Sequence, residues 1–392
     1  MRIGIDARMY SSAFTGIGRY VHELIDHVLK YDPENEYVLF FNEPYFSQFK
    51  IPRGGVEKIC VNAKHYSTRE QTVFLKKLLD AKLDLMHFTH FNAPILYRRP
   101  SVVTIHDLTL SFFPGQKMTS FLHRTAYHFT ISSIIRRAKK IIAVSQNTKE
   151  DIKKLFGASE DTIKVIYLGV NKEFRFIEKP EPRRRAVTPP FSMNRRAALK
   201  RHKRMRPEPR AVDSDFILYT GNWRSHKNLV NLIRAFAMVK KKYASPLELV
   251  ITGKEDPWYP EVKEAVRKDG LSKYVKFVGL VSDQELIELY NAAEIFVYPS
   301  LYEGFGLPAL EAFACHTPVC ASYASSIPEI CGNAALYFDP HKVTDVAARI
   351  LELLENPGKK AELVRNGLEQ LKLFSWEKMA RETLEIYTSA IL

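Results

Sequence analysis

Glu303-Gly304-Phe305-Gly306-Leu307-Pro308-Ala309-Leu310-Glu311 follows directly on the apolar run Ile295–Tyr298, so strand, turn and helix start succeed one another in a short space. Each residue type has a physical use there. Glycines let a backbone approach a ligand closely. Pro308 suits a first helical position, where its missing N–H would have no partner anyway. A helix start presents unpaired N–H groups and the positive end of its dipole, both suited to phosphate. A carboxylate in the first turn, Glu311, can accept hydrogen bonds from two vicinal hydroxyls, as on a ribose. One placed before the turn, Glu303, reaches a second set of hydroxyls, as on a hexose. Either glutamate alone serves equally well as an ordinary helix-start residue; the combination points to a ligand.

Outward from this segment the chain alternates strand and helix signals. In the first half, Arg2–Asp6, Tyr37–Phe41, Val56–Val61, Asp84–Phe88, Val102–Ile105 and Lys140–Val144 read as strands. Gly18–Lys30, Thr68–Ala81 and Asn147–Phe156 read as helices, the last capped by Ser145 or Asn147 with Glu150 placed to complete a box with Asn147. In the second half, strands are expected at Phe216–Thr220, Leu247–Thr252, Val275–Phe277, Ile295–Tyr298, Pro318–Ala321 and Ala335–Phe338. A helix is expected over Asn228–Lys242, and Ser282 with Glu285 forms a capping box ahead of Glu285–Ala292. From Val343 the tail is helical. Continuous apolar strands suit parallel sheets covered on both faces. The expected fold is therefore α/β, with two doubly wound, Rossmann-like domains facing each other across a cleft. The boundaries are 1–177 for an acceptor-side domain, 178–214 for a linker, 215–372 for a donor-binding domain and 373–392 for a final helix.

The bulk properties agree with 392 residues divided between two cores. No apolar run approaches the ~20 residues of a membrane-spanning helix, and the N-terminus opens as a strand rather than a signal peptide. Cys60, Cys315, Cys320 and Cys331 have no zinc or CxxC spacing and read as thiols in a reducing cytoplasm. The net charge of +14 is concentrated: residues 179–210 hold twelve Lys and Arg against two Glu. This Pro- and Arg-rich stretch is too poor in apolar residues to order itself and reads as a disordered insertion. The folded parts are close to charge balance and carry no nucleic-acid reader motif, so no nucleic-acid partner is expected. Residues 117–140 interleave Phe121, Tyr127, Phe129 and isoleucines with Arg124, Arg136, Arg137, Lys139 and Lys140. Two readings stand there: a helix resting peripherally on anionic lipid at the inner face of the membrane, with the basic linker assisting, or a packed helix with a solvated end.

Three further segments carry chemistry. Thr220-Gly221-Asn222-Trp223-Arg224-Ser225-His226-Lys227-Asn228 places cations at a loop–helix junction, where they can offset a diphosphate without a metal. His106 ends the strand Val102–Ile105, and a residue at that edge of an α/β sheet faces the cleft. His87 and His90 also end a strand-like run and read more readily as structural. Thr15-Gly16-Ile17-Gly18-Arg19-Tyr20 lacks the third glycine of a dinucleotide fingerprint, Val21 standing there instead.

The Glu303–Glu311 stretch resembles the E-x7-E element of the GT-B glycosyltransferases, specifically the large retaining family 4, and the order of parts along the chain is similar throughout. The resemblance implies that Glu311 binds the nucleotide ribose and Glu303 contacts the donor sugar. It also implies that the backbone of Gly304, Phe305, Gly306 and Leu307 lines the sugar and diphosphate. Lys227 matches the family's phosphate clamp. Arg224 is assigned with it, although the commoner arginine position is occupied here by Asn222. His106 matches a histidine beside the donor sugar, and Gly16 and Gly18 a glycine-rich loop near the diphosphate and acceptor. The loop Val278–Ser282 falls where the nucleobase would lie, and Phe374-Ser375-Trp376 opens a helix that would cross back onto the first domain. The implied enzyme is a retaining hexosyltransferase, mannosyl before glucosyl, with a nucleoside diphosphate sugar as donor, no cofactor and no metal. Its acceptor would be a hydroxyl of a glycan or lipid-linked sugar in surface polysaccharide or lipopolysaccharide synthesis. A nucleotide-sugar epimerase or a phosphorylase of the same fold is the alternative, with a nucleic-acid binder using the Arg-rich segment behind both.

Overall fold

The structure, a computed structural model, describes residues 1–11, 16–115, 121–178 and 215–391. The expected disordered linker lies, apart from Glu178, outside the described residues. Two wholly parallel sheets organise the chain. The first holds β1 (Arg2–Asp6), β2 (Glu36–Phe41), β3 (Val56–Cys60), β4 (Leu85–Phe88), β5 (Ser101–Ile105), β6 (Lys140–Ala143) and β7 (Ile163–Val165), in the spatial order β3-β2-β1-β4-β5-β6-β7. The second holds β8 (Asp215–Tyr219), β9 (Leu247–Thr252), β10 (Val275–Gly279), β11 (Ile295–Tyr298), β12 (Val319–Ser322) and β13 (Ala335–Phe338), in the order β10-β9-β8-β11-β12-β13. Central strands such as β4, β5, β11 and β12 are buried along their whole length, the burial their continuous apolar runs require.

In both sheets the direction of winding reverses beside the first strand. β1 pairs β4 through Ile3↔Leu85 and Gly4↔Met86, and β8 pairs β11 through Ile295↔Ile217 and Phe296↔Leu218. Loops leaving neighbouring strand ends diverge at such a point and open a crevice. Two crevices facing each other place the ends of β1, β4, β5, β8 and β11 around one cleft.

Several local expectations are corrected. Thr68–Ala81 is a π-helical turn, Glu70–Phe74, followed by the α-helix Leu75–Asp80. Ser145 caps Gln146–Phe156 by accepting from the Thr148 N–H, whereas Asn147 reaches Asp151 and Ser325, so the Asn147–Glu150 box does not form. Edge strand β7 and the helix Glu261–Lys268 were outside the reading, both too short to establish a period. The tail breaks into Val343–Glu355, Pro357–Leu371 and Trp376–Ser389. Ser375 caps the last helix, which packs along Gly16–Tyr31 and reaches β4: the Tyr387 hydroxyl lies 2.7 Å from His87 Nδ1. Among the described residues no helix is long and apolar enough to cross a membrane.

Candidate active site

A cleft of about 710 Å³ lies between the two sheets. On the C-terminal wall, Glu303 through Pro308 and Glu311 all line it. The backbone there is fixed from both sides. Ser325 and Ser326 donate to the Glu303 carbonyl at 2.7 and 2.9 Å. Ser145 and Thr148, from the other domain, donate to the Gly304 carbonyl at 2.7 and 3.2 Å. Gly304 is required by this approach: a Cβ at that position would stand 1.7 Å from the His106 carbonyl oxygen.

Lys227 joins the segment directly, its ammonium donating to both Glu303 oxygens at 2.6 and 2.8 Å. Burial works against ionisation of Glu303, but the Lys227 charge, the neighbouring His226 and side-chain hydrogen bonds, those from Lys227 foremost, together hold the carboxyl below its ordinary value. Asn228, next in sequence, adopts the left-handed conformation (φ 60°) that asparagine tolerates better than most residues. Its side-chain amide donates to the Pro299 carbonyl at 3.0 Å and the Pro340 carbonyl at 2.9 Å, stitching the Lys227 loop to the end of β11. Arg224 lines the same wall as an exposed side chain, with Asn222 beside it. The floor is backbone: a Cβ on Gly253 would lie 2.0 Å from the Gly221 carbonyl, so the loops after β8 and β9 touch. Buried His226 also faces the cleft, its imidazole lowered to about 4 by burial and then by the Lys227 charge. Leu280 and Val281, from the segment assigned to the nucleobase, reach the lining.

The N-terminal wall differs from expectation in two places. Gly16 lines the cleft as the first residue of the helix Gly16–Tyr31, not as part of a loop. Gly18 is buried and absent from the lining, because two positions along a helix turn a residue roughly 200° around its axis. Arg19, one step further, does face the cleft. Its guanidinium donates to Glu311 and to both Asp283 oxygens at 3.1 Å. Burial raises the Glu311 carboxyl, with the Arg19 charge opposing the rise.

His106 faces the cleft from the end of β5. Its Nε2 lies 2.9 Å from the Thr89 carbonyl, an acceptor, so Nε2 carries the proton and Nδ1 the lone pair. Burial lowers this imidazole to about 4, so it is neutral near pH 7. The other two histidines separate. His87 is wholly buried between Tyr387 and Thr104, a packing role, whereas His90 reaches the cleft lining. Tyr66, Phe91, Tyr127, Thr109 and Leu110 also line this wall. These residues and Arg19 were not singled out from sequence as site residues. For Tyr66, Phe91 and Tyr127 no local pattern marks them; Arg19 lay within a quoted glycine-rich segment.

Two facing Rossmann-like domains, with cations and paired glutamates at the switch point of the second, define the GT-B class of glycosyltransferases. Residues 14–174 match the family model described as Glycosyltransferase Family 4, and residues 200–370 match that described as Glycosyl transferases group 1. The chain is 27% identical over 391 residues to O-antigen chain mannosyltransferase B of Escherichia coli, covering 95% of this chain and 96% of that one. It is 30% identical over 254 residues to the serotype-specific mannosyltransferase WbdA of Escherichia coli, 64% of this chain and 29% of that longer protein. The solved structure of Anabaena HepE in complex with UDP and glucose has a TM-score of 0.71 at 18% identity, covering 99% of this chain and 100% of that one. This protein belongs to the group 1 glycosyltransferases and is a hexosyltransferase by family.

Proposed function

We propose that the cleft takes a nucleoside diphosphate sugar and transfers its hexosyl group, with retention, to a hydroxyl of a glycan or lipid-linked acceptor in surface polysaccharide synthesis. Mannose is the first choice of sugar, in line with the activity named for the Escherichia coli relatives, and glucose the second. The observation that carries the reading is the Lys227–Glu303 pair set beside the helix start that bears Glu311, all facing one cleft. Glu303 then holds sugar hydroxyls, Glu311 the ribose, and Lys227 and Arg224 the diphosphate, with Gly16 and the backbone of Gly304–Leu307 around it. As the bond from the anomeric carbon to the phosphate oxygen breaks, the acceptor oxygen bonds that carbon from the same face. The acceptor proton passes to the departing diphosphate. The cations and helix starts offset the charge that develops there. Neutral His106, with Nδ1 as an acceptor, orients sugar and acceptor rather than serving as the sole base. No metal is assigned a part, so turnover should be unchanged by a chelator.

The test is a thermal-shift screen with GDP-mannose, UDP-glucose and ADP-glucose, followed by turnover with the donor that binds, since ligand binding to the folded state raises its melting temperature. Release of nucleoside diphosphate only when an acceptor is present separates a transferase from an epimerase. Glu311→Ala should weaken donor binding about 10- to 100-fold, the worth of charged hydrogen bonds. His106→Ala should chiefly lower turnover. Wild-type kinetics in both variants would overturn the site assignment.

Peripheral contact with anionic membrane belongs to the same proposal. In the helix Phe121–Arg137, Tyr127, Ile131, Ile134 and Ile135 are buried, while Arg124, Phe129 and Arg136 are exposed. Sedimentation with anionic vesicles at rising salt tests it; binding that ignores salt, or no binding, removes the membrane role.

A further inference from the structure

Glu311 and Glu303 are each met by a cation, but the two cations come from different places. Lys227 belongs to the same domain as Glu303. Arg19 reaches Glu311 from the opposite wall, out of the first turn of the helix Gly16–Tyr31. Its guanidinium also spans both Asp283 oxygens at 3.1 Å and lies 5.3 Å from the centre of the Phe174 ring. The second Glu311 oxygen receives the Tyr290 hydroxyl at 3.2 Å. Tyr290 also lies 3.1 Å from the Pro308 carbonyl, so its single proton is shared, and Arg19 is the firm partner of this buried carboxylate.

A carboxylate grips a vicinal diol by offering one oxygen to each hydroxyl, and each oxygen keeps a second lone pair beyond its protein partner. Arg19 competes for that grip because it reaches Oε1 from across the cleft, on the side from which a nucleotide enters. We infer that Arg19 closes the ribose site of the ligand-free protein across the cleft, that the donor displaces it from Glu311, and that the released guanidinium then pairs with the donor's diphosphate. This rests on the reading that Glu311 binds ribose. The exchange is balanced in charge: the nucleotide's hydroxyls replace a cation on Glu311, and its phosphates supply the anion the cation has lost. Asp283 stays beside Arg19 in both arrangements and limits how far it swings. Arg19 thus opposes the ribose and assists the phosphates, which makes its removal push two ligands in opposite directions.

The experiment uses the full chain and two probes bearing the base chosen by the thermal-shift screen: the free nucleoside, which has ribose and no phosphate, and the nucleoside diphosphate. Dissociation constants are read by ligand-observed NMR for the nucleoside and by calorimetry for the diphosphate. Arg19→Met keeps a long side chain over Phe174; Arg19→Lys keeps a charge. Arg19→Met should bind the nucleoside about tenfold more tightly than wild type, while the ratio of diphosphate to nucleoside affinity falls at least tenfold and turnover drops. Arg19→Lys should restore part of that ratio. A purely structural ion pair predicts no gain in nucleoside affinity, so unchanged or weaker nucleoside binding in Arg19→Met overturns the inference. Glu311→Gln supplies the separate control. If it binds nucleoside as wild type does, the ribose assignment fails; if it loses nucleoside while Arg19→Met gains none, only the role given to Arg19 fails.

Discussion

The C-terminal wall of the cleft comes from four short runs, 220–227, 252–253, 280–286 and 298–311, whereas the N-terminal wall collects residues as scattered as Gly16, Tyr66, His90, His106 and Tyr127. The first wall is braced mostly by its own domain: Lys227 to Glu303, Asn228 to Pro299 and Pro340, and Ser325 and Ser326 to Glu303. The second wall has its parts brought together by the whole domain, strand ends delivering His90 and His106 and two helices delivering Gly16, Arg19 and Tyr127. A wall assembled locally can be rigid before a ligand arrives. One assembled at long range depends on how the whole domain packs, and here also on its neighbour, through the contact between Gly304 and the His106 carbonyl.

The sharpest way to break this comparison is Gly304→Ala, which drives a methyl group into the seam between the walls. Turnover should fall roughly a thousandfold, since a 1 Å misplacement alone costs about a hundredfold. Near-normal turnover would show that the walls need not touch. Next comes Lys227→Ala, which leaves Glu303 buried without its cation and removes a diphosphate partner. A loss of about a hundredfold in kcat is expected, with the fold still intact by circular dichroism. On the opposite wall, Tyr66→Ala should raise the acceptor KM by about threefold to tenfold, the scale of one aromatic contact, and leave nucleotide affinity unchanged. An equal effect on nucleotide would mean that the walls do not divide donor from acceptor.

The smallest effect is on stability against pH, and it draws on both walls and the packing behind them. His87, His106 and His226 are lowered to about 3, 4 and 4 from an ordinary 6.5. Between pH 6.5 and 4 the unfolded chain binds protons at these sites that the folded chain refuses. Stability must therefore fall as pH falls through that window, by up to ~1.4 kcal/mol per pH unit for each histidine. The raised Glu311 carboxyl works the other way and softens the fall. Melting temperature recorded from pH 7.5 to 5 should decline by several degrees, and a flat profile would show the imidazoles to be more accessible than described.

The same contrast explains what could be read before the fold was known. The donor wall was legible because its chemistry is written in short runs: a strand, two glycines, a proline and a carboxylate obey local rules of turn and helix start. Most strands were legible for a similar reason, since buried parallel strands are continuous apolar runs. Tyr66 was not, because nothing in its immediate neighbours distinguishes a cleft side chain from a solvated or packed one; Arg19 in its glycine-rich segment and His90 beyond its strand carried a local signal, but none that separated them from their neighbours Gly18 and His87. Gly18 was read as the start of a helix and, by resemblance, as part of a glycine-rich loop near the diphosphate; the helix already begins at Gly16, and its phase decides that Arg19 faces the cleft and Gly18 does not. Asn147 lost its cap to Ser145 for want of any sequence cue that Ser325 would claim it.

The bond between His87 and Tyr387 spans 300 residues of chain. At the ribosome's pace of about 5–20 residues per second, roughly 15–60 s separate the emergence of its two ends. Throughout that interval the helix Gly16–Tyr31 lacks the neighbour that covers it in the finished molecule, and the first domain to be synthesised is the last to be completed. A growing chain of this design waits, with an apolar helix flank bare, for the helix Trp376–Ser389, so the cell's chaperones have a defined window in which to hold it. Emergence of the helix Trp376–Ser389 closes that window.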